Sequence, residues 1–359
     1  MTRVDREKRH RKCMSPRAVI SKDLSQAIRI LLSGGVVGMP TETVYGLAAD
    51  ALNAAACRRI FEVKQRPSDN PLIVHISGLE MLGRVIEPML YKDFMKEPSE
   101  KDDELVRRLR KAFKLWPAPL TLILPKHPSV PDVVCGAGGL DTVAVRMPRH
   151  ILALELIRVC DTPLAAPSAN LSGRPSPTTA QHVIEDLGDR IELVLDGGSC
   201  EFGLESTVLD LTAPHPTILR PGSITLKHLR EVFPDCQMYK VGEDSSLEAK
   251  PPTPGLKYRH YSPHTPVVLC HDRETANKFL SVNMDKNIVT LVYGPAGDSR
   301  EISVAKDEKD FVGMAQNLFA VLRHADSMGV DYILALTCEE VDEGVAVMNR
   351  LSKAAHIRI

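Results

Sequence analysis

Apolar residues along this chain follow two kinds of spacing. In residues 23–32 they recur at the interval of an amphipathic helix, a pair of glycines follows, and residues 36–39 form an apolar run typical of a buried strand. The same patterns predict further helices at 54–63, 150–159, 180–187 and 224–233, and strands at 72–76, 116–124, 142–148, 164–166, 193–195, 205–211 and 217–222. This alternation predicts an α/β fold with an open sheet and flanking helices.

The last third of the chain alternates more regularly. Each predicted strand, at 267–269, 288–292 and 332–336, is followed by a predicted helix, at 274–280, 310–325 and 344–355. Residues 234–263 lack apolar periodicity and contain the run Pro251-Pro-Thr-Pro-Gly255. We therefore predict a first domain at 18–233, a linker at 234–263 and a small parallel-sheet α/β domain at 264–359.

One segment of the first domain fits this pattern poorly. Residues 80–114 are highly charged, and only Leu105, Leu109 and Phe113 form a helical stripe near the end of the segment. We interpret the part at 86–104 as an insertion.

The composition narrows the class of protein. The 359 residues are 43% hydrophobic, which is ample for packed cores, and their 45 basic and 46 acidic residues give a net charge of -1. A balanced charge provides no general attraction to nucleic acid or membranes, so an anion site must be local. No apolar run approaches the length of a membrane span.

Cysteine usage and the N-terminus bear on the compartment. The eight cysteines show no C-x-x-C pair and no zinc-ligand spacing, and no secretory leader is recognisable, which predicts reduced thiols inside a cell. Residues 1–17 are rich in arginine and lysine and are predicted to form a basic flexible tail. Because the tail also contains Asp5 and Glu7, an organelle-targeting peptide is disfavoured. We expect a cytoplasmic protein and leave a mitochondrial form open.

Polar side chains cluster where predicted strands end, which is where open α/β sheets bind ligands. The candidate groups are the cations Lys64, Arg66, Arg146 and Arg220 and the small polar residues Thr41, Thr43, Ser168, Asn170, Ser206 and Thr207. Arginine pairs bidentately with phosphate or carboxylate, and short hydroxyls and amides orient oxygens without filling a pocket. The set suits a triphosphate and a carboxylate that are bound together.

The stretch 64–75 joins two of these cations, a loop-forming Pro/Ser/Asn run and His75, and we interpret it as an anion-binding loop. A structural interpretation is also open: a solvated helix end followed by a core histidine. The strand arginines could equally form ion pairs, the hydroxyls could cap strands, and Tyr258 and Tyr261 could pack between domains.

Standard signatures do not resolve these alternatives. The chain has no G-x-x-x-x-G-K-[ST] motif and no G-x-G-x-x-G after a strand, so the familiar nucleotide-binding loops are unsupported. The nucleophile elbow G-x-S-x-G and the H-E-x-x-H zinc motif are also absent. Covalent acyl chemistry and catalytic zinc are therefore disfavoured.

Seven longer motifs resemble one known family. They are Gly35–Leu47, Lys64–Leu72, Pro167–Gly173, Glu205–Thr207, Leu219–Gly222, Gly255–Pro263 and Asn349–Ala355. Together they cover about residues 18 to 359 and resemble the threonylcarbamoyl-AMP synthase family, whose K-x-R and S-x-N pairs are intact at Lys64/Arg66 and Ser168/Asn170. The resemblance implies a YrdC-like catalytic domain with a twisted open sheet and a C-terminal Rossmann-like domain, with the linker crossing the active site.

The implied activity is that of a nucleotidyltransferase, an L-threonylcarbamoyladenylate synthase. It would form threonylcarbamoyl-AMP and pyrophosphate from L-threonine, bicarbonate or CO2, and ATP, with Mg2+ bound through the ATP phosphates rather than by protein side chains. The product would pass to a tRNA threonylcarbamoyltransferase complex, with weak or no direct binding of this protein to nucleic acid.

The resemblance also implies roles for individual residues. Catalysis would rest on Lys64 and Arg66. ATP would be bound by Lys64, Arg66, Asn70, Thr142, Ser168, Asn170, Thr178, Arg220 and Tyr258, and L-threonine by Thr43, His75, Arg146 and Ser206.

Two other functions remain as alternatives at this point. An RNA-binding or ribosome-assembly module with a YrdC-like fold is disfavoured by the net charge of -1 and the aromatic content of 4%. A carbamoyltransferase of the hydrogenase-maturation type would require zinc-finger cysteines before the domain, and none occur.

Overall fold

The computed structural model describes residues 18–136, 139–240, 253 and 260–359. The predicted tail at 1–17 and Tyr258 lie outside these residues, as does most of the predicted linker. The helices are Leu24–Leu32, Ala54–Lys64, Leu79–Leu82, Pro88–Met95, Glu104–Phe113, Ile151–Cys160, Ala180–Leu187, Leu226–Val232, Arg273–Val282, Phe311–Ser327 and Glu343–Ala354, with a 3-10 helix at Asp132–Cys135.

The strands form two sheets. They are β1 Val19–Ser21, β2 Val37–Met39, β3 Gly46–Asp50, β4 Ile73–His75, β5 Leu120–Pro125, β6 Thr142–Arg146, β7 Leu164–Ala165, β8 Leu193–Leu195, β9 Thr207–Asp210, β10 Thr217–Arg220, β11 Gln237–Met238, β12 Val267–Cys270, β13 Ile288–Tyr293, β14 Glu301–Ala305, β15 Tyr332–Leu336 and β16 Ile357–Arg358. The predicted α/β class, with a large sheet followed by a small parallel one, is confirmed.

Local chemistry explains why several helices begin and end where they do. The side chains of Asp23 and Asn53 accept hydrogen bonds from backbone N–H groups in the first turns of their helices. Gln65 ends the second helix with a left-handed φ of 52°. Because these contacts join residues that are close together in the sequence, the sequence pattern was enough to locate the helices.

The large sheet has the order β1-β8-β2-β3-β7-β4-β6-β5-β9-β10-β11 and is mixed. β2 and β3 are antiparallel, β4 and β6 are parallel, and β5 and β6 are antiparallel. His75, Arg146 and Arg220 end β4, β6 and β10 and line a cavity, as the expectation of a ligand crevice at the carboxyl ends of strands implies. Ile73 and His75 alternate along β4 and so share a face of the sheet, and both line the cavity described below.

The predicted insertion at 86–104 is part of the packed first domain. Its helix Pro88–Met95 lies against the helix Glu104–Phe113, with the rings of Phe94 and Phe113 5.4 Å apart. Leu90 and Val106 are buried in the same core. The charged residues lie on the sides of two short helices that face away from the core. Because each helix is short, its apolar spacing was not recognised in the sequence.

Other strand predictions also needed correction. The strand predicted at 116–124 starts only at Leu120, because Pro117 and Pro119 have no N–H to donate to a neighbouring strand. β1, β3, β11, β14 and β16 were not predicted. β11 pairs with β10, so the large sheet continues past residue 233, where the first domain was predicted to end.

The second sheet, β14-β13-β15-β12-β16, is parallel throughout. Its core also contains two side chains from the first domain: Val44 and Leu204 pack with Tyr261 and Phe319. The small domain therefore completes its core with residues from loops of the large domain.

The described cysteines form no disulfide, and all of them are buried except Cys338, which is partly buried. Among the described residues, no helix combines the length and apolar composition that crossing a bilayer needs.

Candidate active site

A cavity of about 360 Å³ lies against the large sheet and reaches Tyr261, which packs in the core of the second sheet. Its lining includes Thr41, Thr43, Lys64, Arg66, Asn70, His75, Arg146, Ser168, Asn170, Ser172, Arg174, Ser176, Glu205, Ser206, Arg220, His260 and Tyr261. Most of the residues predicted to bind ATP or threonine therefore meet in one place.

Lys64 ends the second helix and is 1% exposed. Its Nζ donates to the backbone carbonyls of Ser168 and Asn170. Burial, with the nearby charge of Arg66, holds the pKa of the Lys64 ammonium well below its ordinary value. Two of the three ammonium donors are thus committed to the S-x-N loop, and a bound phosphate would favour the charged form.

Arg66 and Asn70 belong to the loop after this helix. Arg66 donates from Nε to the carbonyl of Asn70 over 3.1 Å and from Nη2 to the carbonyl of Pro71 over 2.9 Å. These bonds hold the guanidinium against the wall of the cavity, with donors to spare for a ligand.

The amide of Asn170 is oriented by its own loop. Nδ2 donates to the carbonyls of Leu171 and Arg174 over 2.8 and 2.9 Å. Oδ1 is buried and accepts no hydrogen bond from any residue that the structure describes. A buried acceptor without a partner is costly, which is typical of a ligand-binding position.

Arg146 and His75 are neighbours in the register of β4 and β6. Arg146 Nη2 lies 2.6 Å from Glu42 Oε1, and Nη1 donates to Thr43 Oγ1 over 2.8 Å. Burial raises the pKa of Glu42, but the Arg146 charge and the hydrogen bonds to the carboxylate together outweigh it, and the net pKa is lowered. Burial and the same charge lower the pKa of His75 to about 3, so His75 is neutral at physiological pH.

Ser206 and Arg220 meet because β9 and β10 are antiparallel, with Val208 opposite Arg220. Arg220 donates from Nε and Nη2 to the Ser206 carbonyl over 3.2 and 3.0 Å. Ser206 Oγ also lies 2.7 Å from Thr121 Oγ1. Burial lowers the pKa of Arg220, as expected for a cation held in a shielded site.

His260 and Tyr261 bring the segment between the domains to the cavity. Tyr261 has a φ of 67° and packs its ring 5.2 Å from that of Phe319. Nε2 of His260 is buried and has no hydrogen-bond partner in the described part of the chain. The alternative of Tyr261 as a packing aromatic is thus confirmed, although its ring also lines the cavity.

Not every predicted site residue lies here. Thr142, at the other end of β6 from Arg146, and Thr178, whose Oγ1 lies 3.4 Å from His182 Nδ1, are absent from the lining. Sequence analysis assigned no role to Glu42 or Glu205, although both lie inside quoted motifs. The sequence did contain a signal for both acids, because a buried arginine is stabilised by a carboxylate partner. Glu42 directly precedes Thr43, and Glu205 directly precedes Ser206, which were both predicted as site residues.

The site is therefore a shielded, cation-rich cavity in a two-domain α/β protein, which defines the class as an anion-binding protein for small molecules. A family model described as telomere recombination matches residues 29–222, and one described as threonylcarbamoyl-AMP synthase, C-terminal domain, matches residues 224–356. The chain belongs to the threonylcarbamoyl-AMP synthase family, as its motifs predicted.

Individual relatives are similar over nearly the whole chain. The threonylcarbamoyl-AMP synthase of Pyrococcus abyssi is 42% identical over 93% of this chain and 94% of its own length. The synthase of Bacillus subtilis is 39% identical, covering 94% of each chain. The crystal structure of Pyrococcus abyssi Sua5 with L-threonine superposes with a TM-score of 0.80 at 40% identity, over 94% of this chain and 96% of that one.

Proposed function

We propose that this protein is an L-threonylcarbamoyladenylate synthase. It converts L-threonine, bicarbonate or CO2, and ATP into threonylcarbamoyl-AMP and pyrophosphate. The observation that carries the proposal is a single cavity that unites Lys64, Arg66 and Arg220 with the Arg146–Thr43 pair. A site with two separate groups of cations suits a triphosphate and an amino-acid carboxylate side by side.

The nucleotide side consists of Lys64, Arg66, Asn70, Ser168, Asn170 and Arg220. Lys64 and the S-x-N loop are linked by hydrogen bonds, so the ammonium and the loop are positioned together. We assign catalysis to Lys64 and Arg66, which would stabilise charge on the phosphates as pyrophosphate leaves. Thr142, Thr178 and Tyr258 are proposed to contact ATP beyond the cavity lining.

The threonine side consists of Thr43, His75, Arg146 and Ser206. Although Arg146 is paired with Glu42, its Nε has no hydrogen-bond partner among the residues described here. This leaves a buried donor for a carboxylate. His75 is neutral and buried, so it adds no charge that would repel the amino group of threonine.

The reaction needs no covalent intermediate with a side chain. The neutral amine of threonine attacks the carbon of CO2 and loses a proton, which gives a carbamate. A carbamate oxygen then bonds to the α-phosphorus as the bond from that phosphorus to the pyrophosphate oxygen breaks. The cavity contributes by holding the two substrates in line and by excluding water.

We propose that Mg2+ accompanies the ATP phosphates. No three His, Cys, Asp or Glu side chains group as metal ligands within the part of the chain that the structure describes. Asn170 Oδ1 and Ser172 Oγ are buried oxygens without hydrogen-bond partners in that same part, and neutral oxygens suit the water shell of a phosphate-bound Mg2+. When bound, Mg2+ would neutralise phosphate charge.

The remaining assignments follow from this activity. We propose residues 18–233 as the catalytic domain and 264–359 as the C-terminal domain, with the intervening segment crossing the site. The product would pass to a tRNA threonylcarbamoyltransferase complex, and we propose a cytoplasmic location. No observation favours the RNA-binding alternative over this activity.

The proposal is tested by incubating the full chain with ATP, labelled bicarbonate and L-threonine. We expect pyrophosphate release that depends on threonine, together with a labelled adenylate. Release that is equal without threonine would contradict the proposal, and L-serine in place of L-threonine tests the selectivity of the amino-acid side.

A further inference from the structure

We infer that Arg350, from the C-terminal domain, is a positioning residue of the active site. It holds the cavity acid Glu205 in a neutralised pair so that the nearby cations remain available to a triphosphate. The inference rests on the proposed function and concerns a residue to which neither the motifs nor the comparisons assign a role.

Arg350 lies in the helix Glu343–Ala354 and is 0% exposed. Its Nε lies 3.0 Å from Glu205 Oε2, and its Nη1 donates to the carbonyl of Pro221 over 2.6 Å. Its guanidinium carbon lies 5.7 Å from the ring centre of Tyr261. One side chain thus contacts two residues of the cavity wall, Glu205 and Tyr261, and the residue that follows a third, Arg220.

Glu205 is the partner that matters for charge. It lines the cavity, accepts a hydrogen bond from Ser176 Oγ over 2.5 Å and directly precedes Ser206, to which Arg220 is bonded. Burial alone raises the pKa of Glu205, but the charges of Arg350 and Arg220 together with hydrogen bonds, including that from Ser176, outweigh it and the pKa is lowered. Glu205 is therefore an ionised acid beside a site proposed for phosphates.

An unpaired carboxylate here would act against the ligand in two ways. It would repel the phosphates directly in a shielded environment, and it would draw Arg220 toward itself. Pairing with Arg350 removes both effects, and the bond to Pro221 fixes the residue that follows Arg220. Through Arg350, the C-terminal domain would raise the affinity of the cavity for ATP although Arg350 itself does not contact ATP.

If Arg350 had only a structural role, its loss would affect ATP binding no more than the loss of another buried arginine between the domains. The chain offers such an arginine as a matched control. Arg323 is 7% exposed, lies in the neighbouring helix Phe311–Ser327 and pairs with buried Asp186 over 2.7 Å. Neither Arg323 nor Asp186 lines the cavity, although Asp186 also pairs with Arg174, which does. Loss of the Arg323 pair measures what a broken buried pair between the domains costs by itself.

The test measures the Kd for ATP by calorimetry, and the KM values in the pyrophosphate assay, on full chains with matched folded fractions. We expect Arg350→Met to weaken ATP binding about tenfold or more, and Arg323→Met to change it less than about threefold. The double variant Arg350→Met with Glu205→Gln removes the unpaired charge, and we expect it to recover most of the lost affinity.

Equal Kd values for the Arg350→Met and Arg323→Met variants would overturn the inference, as would a double variant no better than Arg350→Met. If Arg350→Met does not fold, Arg350→Lys against Arg323→Lys decides in the same way: a weaker Kd for the Arg350 variant supports the inference and equal values overturn it. A wild-type chain that binds ATP but releases no threonine-dependent pyrophosphate would contradict the proposed activity alone.

Discussion

Most of the charged residues that line the cavity are buried, and each is held by hydrogen bonds or ion pairs to other residues of the chain. Lys64 donates to two carbonyls and Arg66 to two more, whereas Arg146 donates to Thr43 and forms an ion pair with Glu42. Buried charges without such partners would be expensive, and the free donors that remain point to an anionic ligand. Single substitutions of these residues should therefore show which of them act on ligand binding and which act on the stability of the fold.

Lys64 gives a direct test of this view. We expect Lys64→Met to lower threonine-dependent pyrophosphate release by about a hundredfold or more, because a preorganised cation at the phosphates is lost. Lys64→Arg should not restore it, since the planar guanidinium presents its donors to the two carbonyls in a different geometry. Lys126→Met, at a pair with Asp132 away from the cavity, is the control and should retain nearly full activity. Substantial turnover by Lys64→Met would contradict the role.

The partly buried histidine His182 predicts how stability depends on pH. Burial, with the charge of Arg323, lowers the pKa of His182 to about 4, against about 6.5 in an unfolded chain. Between these values the unfolded state binds a proton that the folded state does not, so stability is lost as pH falls from about 6.5 toward 4.

We expect His182→Gln to reduce this loss, measured as the difference between the urea unfolding midpoints at pH 7 and pH 4.5. The same substitution at exposed His324 is the control and should leave the difference as in the wild type. If both variants lose as much stability as the wild type, the assignment to His182 is wrong.

At the scale of elements, the cavity depends on loops that are held by the small domain. Val44 follows the site residue Thr43, and Leu204 precedes the site residue Glu205. Both pack into the core of the small domain. Next to Leu204, Gly203 has a φ of 71°, and a Cβ there would collide with the carbonyl oxygen of Gln316 in the helix Phe311–Ser327. The loop can approach this helix only because the residue is glycine.

We therefore expect Gly203→Ala to be clearly more destabilising than Gly198→Ala. Gly198 has a similar φ of 78°, but a Cβ added there meets no atom within 4 Å. The Gly198 variant should cost about 1 kcal/mol from backbone strain, and the Gly203 variant should cost this amount plus that of separating loop and helix. Thermal unfolding checks the order, and equal losses would contradict the close approach.

At the scale of the whole molecule, a buried network joins the two domains. Asp186 in the first domain pairs with Arg323 over 2.7 Å and with Arg174 over 3.0 Å, and Arg174 reaches Asp326 over 3.2 Å. The network and the shared core together make the domains depend on each other. We expect them to unfold in one transition rather than two.

Asp186→Asn should destabilise the full chain by about 3 to 5 kcal/mol, because Arg323 and Arg174 lose their shared buried partner. Glu201→Gln removes a pair with Arg149 in which both side chains are about half exposed, and it should cost less than about 1 kcal/mol. Denaturant unfolding of both variants provides the measurement. A similar cost at the two positions would argue that the network contributes little.

The sequence by itself determined the elements whose signals are local. The helix Ala180–Leu187 and the strands Leu193–Leu195 and Tyr332–Leu336 have the predicted bounds, because caps, turns and apolar spacing lie within a few residues of each element. The family motifs are equally local, and they identified most of the residues that line the cavity. The reason is that a motif is recognised from the residue types in one short segment, without knowing which residues contact them in the folded protein.

The tertiary structure decided what depends on pairing between distant segments. The pairing of β4 with β6 placed His75 beside Arg146 at the cavity, and it left Thr142, at the other end of β6, outside the lining. The partners of Arg146 and Glu205 were decided in the same way, because hydrophobic patterning specifies which face of a strand is buried but not which strand lies beside it.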